Sequence, residues 1–348
     1  MPDDISNVLE IVEAQAAGCA RLGSGLYERI LEGVAADLRA GGVSAAVLGT
    51  HATDPHGSMV ALRLMGAVHR IVLEGRAPSL GSMYPSVGGD PTSGDPASEF
   101  LHVVEDHREE VQRRLADGVQ TNEVGRAAVL ASGYALVQAR TGLPLRVLEV
   151  GASAGLNLRF DHYAYDVGER VAGDPRSPVR FERVWVGAPP MLPDRFEVAE
   201  RSGCDRNPLD PNTEEGRLTL LAYMWPDQTE RIDLLHAALE VAGRVPAVVE
   251  RAEAAAWIEG QLAAPRPGMA TVVAHSIVLQ YLAPARRRRF RGALSAAGRD
   301  ATDDAPLAWL RMEPAGDRAE LRLTTWPGGL DEQLATSGYH GRPIWWGA

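Results

Sequence analysis

The sequence predicts an α/β protein in two parts: a helical N-terminal part and then a Rossmann-like sheet domain. Three observations predict it. Apolar residues recur at helical spacing through the first third of the chain. The first convincing strand, "LRVLEV" at 145–150, comes only after them. From there, short apolar runs alternate with helical stretches, the pattern of a parallel sheet covered on both faces. At 348 residues the chain is long for one core. The expected parts are residues 1–120 and 121–348.

The elements follow in order. Ile5, Val8, Leu9 and Val12 form a first helical stripe, with Ser6 as its expected cap. Leu26, Ile30, Leu31, Val34 and Leu38 form a second, ended by Gly41-Gly42. "SAAVLGT" at 44–50 reads as a weak strand. Met59 to Leu73 and Phe100 to Leu115 read as two helices. Between them "APSLGSMYPSVGGDPTSGDP" reads as a long loop, a lid or a mobile segment. A helix from Val124 to Ala139 closes at Gly142 and Pro144. After "LRVLEV" come strand-like runs at 247–249, 270–274 and 307–312, with helical stretches at 215–241, 254–262 and 285–297. The alternation in "VRFERVWVG" predicts a β-hairpin inserted within about 163–200. "LAWLRMEPAGDRAELRLTTW" reads as two antiparallel strands about a Gly-Asp turn, and "PIWW" as an edge strand.

Composition narrows the function. Hydrophobic residues make up 45% and charged residues 23%, as in a folded globular chain. A net charge of -11 disfavours nucleic acid as a partner. The run Arg286 to Arg289 with Arg291 reads as a solvated helix face. Two distant cysteines, Cys19 and Cys204, form neither a disulfide framework nor a zinc cluster, and they fit a cytoplasmic protein. No signal-peptide layout and no membrane-length apolar run is present in the sequence. His51 and His56 are spaced like metal ligands but lack a further ligand set, so no metal is expected.

"LEVGASAGLNL" at 148–158 carries the chemistry. Gly151, Ser153 and Gly155 fit the G-x-S-x-G elbow of serine hydrolases. A hydrolase elbow follows several strands, whereas this loop follows the first strand of its domain. First strand, then glycine turn, is where dinucleotide and adenosyl cofactors bind. Glu149 favours the latter, because the segment resembles the E/D-x-G-x-G-x-G cofactor loop of S-adenosylmethionine (SAM) methyltransferases. Ser153 stands where the middle glycine would be, and the loop tolerates it if its φ is negative. On that reading Glu149, Gly151, Ala152, Ser153, Gly155 and Asn157 surround the cofactor. "SGCDRNP" at 202–208 resembles the end of a second strand, with Asp205 on the ribose hydroxyls; an Asx-turn is the alternative. Glu253 and Ala254 would meet the adenine, or Glu253 is a helix N-terminal acid. His275, at the end of the fourth strand, would be a base on the acceptor, or a histidine bonded to backbone. Gln120, Asn122, Glu123 and Arg126 in "QTNEVGR" would face the cofactor mouth and bind substrate. Trp225 in "MWPDQTER" reads as core, with Asp227 an N-cap.

"QTNEVGR", "LEVGASAGLNL", "GCDRNPLDP", "AYMWPDQTER", "AHSIVLQYL" and "LRLTTWPGG" occur in this order along the chain. The series resembles a bacterial family known as domain of unknown function 2332. That family resembles class I methyltransferases in its second part, which implies a Rossmann-like fold without naming an activity. The helix after the loop is cut short, unlike a standard methyltransferase. The expected function is SAM-dependent methyl transfer to a small molecule, under a cover formed by the helical part. The alternatives are a serine hydrolase with Ser153, Asp205 or Asp210, and His275, or a non-catalytic ligand-binding protein on the same scaffold.

Overall fold

The computed structural model describes residues 5–54 and 58–347. Its helices are α1 (Ser6–Arg21), α2 (Gly25–Ala40), α3 (Val43–Leu48), α4 (Val60–Leu73), α5 (Pro78–Gly81), α6 (Pro96–Asp106), α7 (Arg108–Leu115), α8 (Arg126–Thr141), α9 (Glu214–Ala222), α10 (Thr229–Ala242), α11 (Ala254–Gln261) and α12 (Pro284–Arg299). Its strands are β1 (Leu145–Val150), β2 (Ala164–Asp166), β3 (Val171–Gly173), β4 (Arg180–Phe181), β5 (Val198–Asp205), β6 (Val248–Arg251), β7 (Ala270–Ser276), β8 (Leu307–Ala315), β9 (Arg318–Trp326), β10 (Leu330–Ser337) and β11 (Ile344–Trp346). Two compact units result: Met1–Thr121 with Glu214–Asp233, and Asn122–Thr213 with Leu234–Ala348. Among the described residues no helix is long and apolar enough to cross a membrane.

The first unit is helical and packs one apolar core from α1, α2, α4, α6 and α7. Ser24 caps α2 by accepting from the Tyr27 N–H. Asp227 closes the same helix start, accepting from Ser24 Oγ at 2.7 Å and the Leu26 N–H at 3.1 Å. Asp227 thus helps to cap α2, while Trp225 lies in the core as expected. Other local expectations change. Ser6 is already helical, and no side-chain hydrogen bond caps α1. "SAAVLGT" is helical in α3 and not a strand. The stretch 100–115 breaks at His107 into α6 and α7. The Gly/Pro-rich loop contains α5 and a short 3-10 turn and buries Leu80 and Tyr84 in the core, so it is not a lid.

The second unit holds an eight-stranded sheet in the order β11-β10-β9-β8-β7-β1-β5-β6. From β8 to β6 all neighbours are parallel; β8 to β11 pair antiparallel. The chain enters at β1, runs outward through β5 and β6, then returns to the other side of β1 at β7. Strand order therefore reverses between β1 and β7. α11 and α12 share an apolar core with Leu148, Val150 and Val273 on one face. α8 lies against the other, where a Cβ on Gly133 would come within 2.3 Å of Leu310. The inserted hairpin is β2 with β3, earlier than "VRFERVWVG"; that segment adds only β4, parallel to β2. The strand β10 has no counterpart in the sequence reading.

Candidate functional site

At the carboxyl end of β1 the chain turns sharply back. Gly151, Ser153 and Gly155 all have positive φ, at 70°, 52° and 67°. The expected negative φ at Ser153 is thus not found; the left-handed conformation is an uncommon one for serine. A Ser153→Val variant is expected to lose about 2 kcal/mol of stability, since a branched side chain is disfavoured there. Urea unfolding measures it, with Ser153→Gly as the tolerated control. No α-helix follows; Asn157–His162 is a 3-10 turn, so the helix is indeed cut short. Two glycines make room. A Cβ on Gly203 would lie 2.7 Å from the Ala152 Cβ, and one on Gly151 would lie 2.6 Å from Val278.

The loop is held from several sides. The N–H groups of Gly151 and Ala152 donate to Cys204 O. That of Ser153 donates to Asp205 Oδ2 at 3.0 Å. Those of Ala154 and Leu156 both donate to Asn122 Oδ1, at 3.2 and 2.9 Å. Arg159, which the sequence reading missed, is 2% exposed and donates to the carbonyls of Ala154, Gly155 and Val245. Asn157 donates to Glu123 O, and its own Oδ1 is buried without a hydrogen-bond partner. Gly151 is exposed, and residues 152 to 160 are buried.

Glu149 points into this enclosure. It is 3% exposed, and its Oε2 has no hydrogen-bond partner. Burial, then the charge of Asp205, pushes its carboxyl up to about 8, against the pull of Arg159 and Arg126. Asp205, partly exposed, accepts from Ser153 and also from the Asn207 N–H at 2.9 Å, so the Asx-turn is formed as well. Glu253 caps α11 through the Ala256 N–H, while its Oε1 is buried and unpartnered. Ala254 is the first residue of that helix. Three carboxylates thus stand at the carboxyl ends of β1, β5 and β6. Arg126 donates to the carbonyls of Ser276, at the end of β7, and Tyr339.

His275 is not part of this group. Side chains alternate along a strand. Val273 faces α11 and α12, so His275 does too, and its ring meets Phe290 of α12. Glu149, between Leu148 and Val150 of that same core, faces the other way. His275 is fully buried. Its Nε2 accepts from Trp309 Nε1 at 2.9 Å, and its Nδ1 lies 2.7 Å from Glu313 Oε1. Indole N–H only donates, so Nδ1 carries the hydrogen and no lone pair is left for an acceptor. The expectation of a catalytic base here is corrected to a structural link. A His275→Ala variant is expected to lose about 3 kcal/mol, because the indole N–H loses its acceptor, Glu313 is left with only the Val278 and Leu279 N–H groups, and a cavity opens beside Phe290. Denaturant unfolding measures that loss; an intact stability would contradict it.

The hydrolase elbow loses its base by the same observation. Asp205 is engaged with backbone N–H groups, so Ser153, Asp205 and His275 form no relay. His51 pairs with Asp54 at 3.0 Å, and His56 lies outside the described residues. Among the described residues no three potential metal ligands gather. The basic run lies on α12, mostly exposed, with Arg289 on Glu259.

One family model, described as "Uncharacterized protein conserved in bacteria (DUF2332)", matches residues 10–346. No curated protein matches the chain, and no solved structure does.

Proposed function

The chain belongs to the DUF2332 family of bacterial proteins, and from its own residues we propose that it is a SAM-dependent methyltransferase acting on a small molecule. The observation that carries this is the buried, unpartnered oxygen of Glu149, at the strand end where strand order reverses. In open α/β sheets ligands bind at such reversal points, and the parallel order from β6 to β8 supports a Rossmann-like reading.

The donor set discriminates among cofactors. A pyrophosphate needs free backbone N–H groups at a helix N-terminus. Here the N–H groups of residues 151 to 156 already have protein acceptors, and no α-helix follows. What remains is acidic: Glu149, Asp205 and Glu253. Such a rim offers acceptors in place of the donors a phosphate needs and suits a ligand rich in donors and positive charge. Glu149 would take the methionyl ammonium, Asp205 the ribose hydroxyls, and Glu253 with Ala254 the adenine edge. Gly151, Ala152, Ser153, Gly155 and Asn157 would shape the wall.

When bound, the cofactor supplies an electrophilic methyl group. The protein's own contribution is to fix the loop through Asn122 and Arg159 and to orient the acceptor, with Arg126 at the end of β7. No general base is assigned, so the acceptor atom is one already nucleophilic at neutral pH.

Calorimetry with SAM and S-adenosylhomocysteine tests the reading. Both are expected to bind wild type, and ATP and NAD are expected not to. No heat from either adenosyl ligand at millimolar concentration removes it.

A further inference from the structure

The Gly/Pro-rich stretch between α4 and α6 has no part in that reading, yet it holds a second reactive arrangement within the helical unit. Ser86 sits in the 3-10 turn Pro85–Val87. Its Oγ lies 2.8 Å from Nε2 of His69, on α4. The other ring nitrogen, Nδ1, lies 3.2 Å from the carbonyl of Ala222. A carbonyl only accepts, so Nδ1 carries the hydrogen and Nε2 turns its lone pair toward the serine. The Ser86 hydroxyl is therefore the donor of that bond.

This is the geometry of an activated nucleophile: a hydroxyl on a base, and the base oriented by a third group. Exposure follows the same order. Ser86 is partly exposed and flanked by exposed Val87 and Gly88, whereas His69 is fully buried behind it. The Tyr84 ring packs edge-on against the imidazole, with centroids 5.5 Å apart, and helps to fix it. Burial lowers the His69 pKa to about 4, so the ring is neutral at physiological pH with its lone pair present, but it is a weaker base than a free imidazole. The turn itself is tight: a Cβ on Gly89 would lie 2.4 Å from Gly81 O and 2.5 Å from Tyr84 N. The serine is thus held on a compact, backbone-packed support.

We infer that Ser86 is a nucleophile for acyl transfer from uncharged esters, with His69 as its general base and the Ala222 carbonyl as the group that orients the base. Ser86 Oγ bonds to the acyl carbon as its proton passes to His69 Nε2. The ester C–O bond then breaks, and the leaving alkoxide takes that proton. Water, deprotonated by the same nitrogen, cleaves the acyl-serine, releasing the acid and restoring the hydroxyl. A neutral carbonyl backs the base where hydrolase triads use a carboxylate. The imidazolium is stabilised less, so turnover is slow and activated esters are the best substrates.

A fluorophosphonate probe tests this on the full chain, independently of the cofactor reading. Ser86 Oγ attacks phosphorus, fluoride leaves, and the proton goes to His69. Peptide mass spectrometry is expected to find Ser86 labelled at least about 100-fold faster than Ser82, the usual scale of general-base assistance. Ser82 is an exposed neighbour whose hydroxyl donates to the Ser79 carbonyl and serves as the internal standard. Ser86→Ala is expected to abolish the label. His69→Gln, which keeps an acceptor but cannot take the proton, is expected to slow it by the same factor. Equal labelling of Ser86 and Ser82 in wild type overturns the inference, whether or not the variants fold. Undiminished labelling in a folded His69→Gln overturns it too.

Discussion

Replacing Glu149 with glutamine is expected to stabilise the sheet unit while removing its affinity for SAM. The carboxyl is buried and lifted to about 8. Unfolded, it titrates near its ordinary value of 4.5. Between those two values the native state keeps a proton that the unfolded chain has lost, so stability falls as pH rises across this window and then levels. Glutamine has no such slope. The variant and wild type should nearly match at pH 4.5 and differ by about 4 kcal/mol at pH 8, the variant being the more stable. Urea unfolding at pH 5, 7 and 8.5 measures this. A difference that does not change with pH would show that Glu149 is not the strained group described. The same carboxylate is the proposed seat of a cation. Binding beside it releases its proton, so the calorimetric heat should depend on the ionisation enthalpy of the buffer. A gain in stability paired with a loss of binding is the mark of a group kept for function.

The parts of this arrangement that read directly from sequence are the short-range ones. "LRVLEV" announced β1, and Gly142 and Gly41 ended helices where a positive φ is needed, at 67° and 71°. The loop at 151–155 showed its glycines, and Asp205 its turn. Facing was harder. His275 and the loop both lie at strand ends, which in sequence suggests one site, although alternation from Val273 places the histidine on the face of α12. Period-two counting would have found that. Arg159 left no local signal: an arginine in "NLRFDH" reads as surface until its three carbonyl partners come together in space. The Ser86 and His69 pair is likewise invisible in one dimension, since 17 positions separate the two residues. Apolar residues run on from α9 into "AYMW" and mask the break before α10.

The loop's rigidity rests on two side chains that hold its opposite edges, and removing them should show that they act together. Asn122 takes the N–H groups of Ala154 and Leu156, and Arg159 takes the carbonyls of Ala154 and Gly155. Ala154 is therefore fixed at both ends by groups 37 positions apart along the chain. Asn122→Ala leaves two buried donors without acceptors, a loss of about 2–4 kcal/mol. Arg159→Met takes a donor from three carbonyls, of which that of Gly155 keeps the Leu158 N–H. It also removes the positive charge that pulls Glu149 down, so the Glu149 carboxyl should rise further. Once either clamp is gone the loop no longer keeps the conformation that the other one grips. The double variant should then lose at least about 1 kcal/mol less than the two single losses added. Additivity within about 0.5 kcal/mol would mean that the clamps act separately and that the loop is shaped by its glycines alone. SAM affinity should fall in both single variants. In Asn122→Asp, which keeps both acceptor bonds, the loop should stay closed. The added negative charge near Glu149 should raise the pH at which Glu149 ionises, moving the pH profile of binding upward rather than abolishing binding.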